Sequence, residues 1–78
     1  MPKSVDFIVD DLHTRLQRSG REVGTMLWPD VYRDYEIDRW KQPRGEAIKE
    51  KAYIKYGLNI SYSDTVLTVT VNRNFAPI

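Results

Sequence analysis

A chain of 78 residues without a single cysteine has no disulfide and no thiolate metal site to staple it, so burial of apolar side chains must hold it together. Such a chain makes one domain, residues 1–78, and builds a sufficient core only by burying most of its aromatic residues. Homodimer formation would enlarge that core. The missing cysteines also fit a reducing compartment. No run of eighteen apolar residues is present to span a membrane. The opening MPKSVDFIVDDLHTR meets acidic residues at once and lacks the apolar stretch of a signal peptide. The expectation is a cytoplasmic protein, complete as given.

Apolar spacing divides the chain into elements. Val5, Ile8, Val9, Leu12 and Leu16 follow the period of one helix face, with Ser4 placed to cap the start and Gly20 to take the left-handed residue after the last turn near Ser19. Asp6, Asp10 and Asp11 near the start and Arg15 and Arg18 near the end complement the helix dipole. Glu22 to Trp28 alternates as a strand and stops at Pro29. Val31 to Trp40 fits either a strand or, through the Val31–Tyr35 spacing behind Pro29 and Asp30, a helix. Its five aromatic or β-branched residues favour the strand. Lys41 to Gly45 reads as a turn and Glu46 to Tyr56 as a second helix closed by Gly57. Leu58, Ile60 and Tyr62 alternate, Ser63 and Asp64 turn the chain, and Leu67, Val69 and Val71 should face a core while Thr68 and Thr70 face outward. The predicted fold is α+β, a compact two-layer domain in the order α-β-β-α-β-β. It has a four-stranded, mostly antiparallel sheet with two helices on one face, the connectivity of a circularly permuted split β-α-β sandwich.

Reactive constellations are sparse. His13 is the only histidine and stands at the border of the first helix's apolar face, so neither a metal site nor a general base has a second ligand or partner in view. On a strand, Asp34, Glu36 and Asp38 would line one face about 7 Å apart, too wide for direct coordination of one magnesium ion. Pro29–Asp30 resembles the opening of a PD-(D/E)xK nuclease motif, but Asp38 and Lys41 are three apart and Glu50 adjoins Lys49 and Lys51, so the required carboxylate–lysine spacing fails. The four glycines match no phosphate-binding loop. No enzyme, cofactor or metal is expected.

Charge is unevenly distributed. Residues 39–56 carry six basic and two acidic side chains, whereas residues 1–38 carry five basic and eight acidic ones, and Asp64 and Arg73 cancel in the remainder. Trp40, Tyr53 and Tyr56 stand among the basic residues, a mixture that can hold a polyanion or an acidic protein partner. On a helical wheel, Lys51 and Lys55 fall between two apolar stripes and Lys49 on another side, which scatters the helical lysines rather than gathering them for a phosphate backbone. The interval from Trp28 to Trp40 is rich in Trp, Tyr and Arg, the residues enriched at binding hot spots. The leading expectation is therefore a non-enzymatic adaptor or inhibitor that docks on a protein partner through Trp28, Tyr32, Arg33, Tyr35, Arg39, Trp40, Lys41 and Arg44. The alternative is a small nucleic-acid-binding regulator using Arg39, Lys41, Arg44, Lys51 and Lys55. A small metal-dependent nuclease stands third. Neither a helix-turn-helix pattern nor the aromatic signature of an RNA-recognition motif can be read from these residues.

Overall fold

Ser4 begins the first helix as its chemistry suggests: its Oγ accepts the Phe7 N–H at 3.1 Å. This helix, α1, runs Val5–Ser19 and ends at Gly20, whose φ of 68° only glycine adopts without strain. The computed structural model describes residues 2–71. After α1 come β1 (Val23–Leu27), α2 (Trp28–Asp34), α3 (Gln42–Tyr56), β2 (Leu58–Tyr62) and β3 (Val66–Val71).

The three strands form one antiparallel sheet in the order β1-β3-β2, so the last strand is the central one. Its register places Leu67 between Met26 and Tyr62, and Val69 between Gly24 and Ile60. That face is buried with Ile8, Val9, Leu12 and Leu16 of α1, Val31 of α2, and Ile48 and Ala52 of α3. Strand alternation sends Val23, Thr25, Leu27, Asn59, Ser61, Thr68 and Thr70 to the opposite face, which carries no buried residue. No helix among the described residues is long and apolar enough to cross a membrane.

The expected architecture is thus corrected: three helices and a three-stranded sheet replace two helices and four strands. The error lies in residues 31–45. Pro29 and Asp30 occupy the first turn of α2, where a missing N–H and a negative charge are both tolerated. Helical spacing then brings Val31 and Tyr35 into the core together, both at 0% exposure. Burial of that pair outweighs the strand preference of the β-branched and aromatic residues around it. Glu36 reverses the chain with φ 55°, and Ile37 returns to the core. The supposed turn at Lys41–Gly45 is the first turn of α3, with Pro43 at a position that needs no hydrogen bond. Val71, expected inward, is exposed at the end of its strand. Arg73 lies outside the described residues.

Candidate functional site

The helical start of α2 sets Trp28 where three parts of the chain converge. Trp28 follows β1 directly, and its indole Nε1–H donates to the Ser63 carbonyl at 2.6 Å, tying α2 to the β2–β3 turn. One helical turn on, Tyr32 meets Trp28 edge to face, with centroids 6.2 Å apart and planes at 80°. Trp40, from the connection into α3, approaches Trp28 at 5.0 Å and 66°. Tyr62, at the end of β2, completes the cluster 5.8 Å from Trp28 and 5.2 Å from Trp40. These rings are half-buried and pack on the edge of the core. Three of these four pairs are edge to face, an arrangement favoured by the ring quadrupoles, while Trp28 and Tyr62 are tilted at 38°.

Gly45 supports the cluster from below. A Cβ at this position would lie 3.2 Å from Trp40 Nε1 and 3.3 Å from Tyr62 Cε2, so both rings rest against the backbone of α3. The Tyr62 hydroxyl donates to the Gly45 carbonyl at 2.8 Å. Burial, with a smaller push from the Glu46 carboxylate, raises the Tyr62 pKa and keeps this hydroxyl a donor. The result is a surface depression of about 490 Å³ lined by Trp28, Pro29, Tyr32, Trp40 and Asp64. Its lining is mainly aromatic with one carboxylate, a concave apolar surface in which no nucleophile–base pair is brought together. His13 lies elsewhere, stacked on Tyr56 with centroids 3.7 Å apart where α1 meets α3.

The predicted partner-binding residues separate into three groups. Trp28, Tyr32 and Trp40 come together in the depression. Tyr35 is overturned as a contact residue: it is fully buried, and its hydroxyl donates to Asp11 Oδ2 at 2.7 Å. Burial first, then that hydrogen bond, raises its pKa. Arg33 is exposed on α2 but engaged with Asp30 and Asp34, each at 3.0 Å. Arg39, Lys41 and Arg44 precede or enter α3 on either side of Trp40, and none makes an ion pair among the described residues. The acids Asp34, Glu36 and Asp38 do not line one strand face. Asp34 accepts from Arg33 and Arg15, which lower its pKa, and Glu36 pairs with Lys3 at 3.1 Å.

The nucleic-acid set divides as well. Lys51 pairs with Asp6 and Lys55 with Asp10, both at 2.7 Å, so the helical lysines are turned onto α1. Hydrogen bonds from Lys55 and then Tyr56 hold the Asp10 carboxyl below its ordinary pKa. The helical end of the basic stretch is thereby partly neutralised by the acidic first helix.

Comparison with protein-family models, with curated proteins and with solved structures gives no match. Its surface is therefore read on its own chemistry. Pro29, Gly45, Tyr62 and Asp64 belong to the site but were not expected there. Tyr62 alternates with Leu58 and Ile60 as a core residue would, and Asp64 reads as a turn residue. The pairing of β3 with both β1 and β2, together with the bonds from Trp28 to the Ser63 and Thr65 carbonyls, brings them to Trp28.

Proposed function

We propose that this chain is a non-enzymatic protein-interaction module, an adaptor or inhibitor that seats an apolar side chain of a protein partner in the Trp28–Tyr32–Trp40 depression. The carrying observation is that a protein with little core to spare leaves two tryptophans and a tyrosine half-exposed around one concavity. Their ring packing is already set, so binding orders few side chains and loses little entropy there. Neutralisation of Lys51 and Lys55 by α1 favours a protein partner over a nucleic acid, which would draw on a longer run of free cations. The cysteine-free composition supports a reducing, cytoplasmic setting for the encounter.

Two substitutions test this reading. Tyr32→Ala removes one wall. Pro29→Glu places a charge at the mouth, in a first helical turn that favours acids and should keep the fold intact. Affinity capture from a host lysate treated with nuclease should recover a partner with the parent chain and recover at least ten-fold less with either variant. Capture that is unchanged in Pro29→Glu, with the variant folded by circular dichroism, removes the depression from the contact. Loss of capture on nuclease treatment alone assigns the surface to nucleic acid.

A further inference from the structure

The ion pairs of the fold leave an uneven remainder. Among the described residues, Lys3, Arg15, Arg33, Lys51 and Lys55 all reach a carboxylate within 3.1 Å. Arg18 lies in the last turn of α1, where the helix dipole already favours a cation, and Arg21 follows just beyond the Gly20 cap. Lys49 stands over the Tyr62 ring, 5.2 Å from its centroid. Arg39, Lys41 and Arg44 have none of these compensations, and they fall within six residues around Trp40. The acids nearest in the chain, Asp38 and Glu46, form no ion pair with them.

We infer that the partner segment is acidic: an apolar anchor enters the aromatic depression while flanking carboxylates meet Arg39, Lys41 and Arg44. This rests on the interaction reading above and adds the partner's chemistry to it. The arrangement follows the ordinary division of labour at interfaces, with a buried aromatic anchor for affinity and rim charges for partner selection and association rate. Arg39 and Lys41 are exposed and Arg44 half-buried, and cations without internal partners can meet new carboxylates without first breaking a bond in the free protein. Lys51 and Lys55 would have to leave Asp6 and Asp10. Arginine at positions 39 and 44 can grip a carboxylate through two parallel hydrogen bonds, which fixes orientation as well as charge.

The test uses four fluorescein-labelled probes with the full chain. Three are twelve-residue peptides with a central tryptophan flanked by glutamates, by glutamines or by lysines, and the fourth is a twelve-nucleotide oligothymidylate. Fluorescence anisotropy at about 50 mM salt should show the glutamate peptide binding about ten-fold more tightly than the glutamine peptide, the scale expected of a few rim charges. The preference should shrink several-fold at about 0.5 M salt, where the screening length drops below the reach of these contacts. The double substitution R39E and K41E should abolish the preference, and Lys51→Glu should leave it in place. Equal binding of the glutamate and glutamine peptides, with both lost in Pro29→Glu, keeps the interaction module and overturns the acidic partner. No peptide binding at millimolar concentration removes this surface as a peptide site and overturns both readings together. Tighter binding of the oligothymidylate than of the glutamate peptide, or loss of preference in Lys51→Glu as large as in the double variant, overturns the inference in favour of general polyanion attraction.

Discussion

Replacing Gly45 by alanine sets two effects of opposite sign against each other. Glycine inside a helix costs about 1 kcal/mol relative to alanine, so the substitution alone would stabilise α3. The new Cβ, however, would stand 3.2 Å from Trp40 Nε1, 3.3 Å from Tyr62 Cε2 and 3.4 Å from Trp40 Cζ2. Two rings would have to retreat, and Tyr62 is anchored by its 2.8 Å hydrogen bond to the carbonyl of the same residue. Overpacking of this kind costs about 1–3 kcal/mol. The expected net effect is a loss of about 1 kcal/mol, which in a domain of this size lowers the unfolding midpoint by about 4–8 °C. In a Trp40→Ala background two of the three close approaches are gone, and Gly45→Ala should become neutral or stabilising. The pair should then show a coupling of about 1 kcal/mol or more. Urea unfolding followed by far-ultraviolet circular dichroism measures all four proteins without relying on the altered tryptophan. Equal stabilisation by about 1 kcal/mol in both backgrounds would show that the rings do not rest on the helix, and the account of how the depression is held would fail.

Two further outcomes follow from the polar contacts. Tyr35→Phe removes a hydrogen bond to the Asp11 carboxylate and should cost about 1–2 kcal/mol in urea unfolding while leaving partner capture unchanged, since the ring is buried. A drop in capture with unchanged stability would restore Tyr35 to the contact surface. The carboxyls of Asp10, Asp34 and Glu36 are held below their ordinary pKa values by Lys55, Arg33 and Lys3 respectively. A folded-state value below the unfolded one means that this stabilisation is fully present above the ordinary carboxylate range and is lost as pH falls below about 4. The thermal midpoint should therefore be level between about pH 5 and 7 and fall on further acidification. A midpoint that rises below about pH 4 would contradict the ion pairing.

What the sequence made legible was local. Both ends of α1 follow from side-chain chemistry within a few residues, Ser4 at one end and Gly20 at the other, and β2 and β3 follow from strict alternation. Residues 31–40 were not legible in the same way, because their composition favours one structure and their spacing another. The Val31–Tyr35 interval behind Pro29 was the sign to follow, but its force comes from a core supplied by distant elements. The same limit applies to the site. Tyr32 and Tyr35 look equally suited to an interface by composition. Tyr32 lies on α2 and Tyr35 caps its end three residues later, and they differ because Asp11 and Arg15 of α1 enclose the second. The charge asymmetry along the chain was real, yet two of its six cations, Lys51 and Lys55, are matched by Asp6 and Asp10 across the seam between α1 and α3.

The central place of β3 has a consequence for synthesis. β1 and β2 flank it and do not pair with each other. A growing chain that has reached Tyr62 already contains all three helices and two of the strands, but no strand pair. Its helices meanwhile present Ile8, Val9, Ile48 and Ala52 with nothing laid across them. Leu67 and Val69, which follow every other buried core residue described, supply the middle of the surface on which the rest is assembled. The sheet therefore cannot form until Val66–Val71 has been made, because a chain stopped before Val66 lacks the strand that joins β1 to β2.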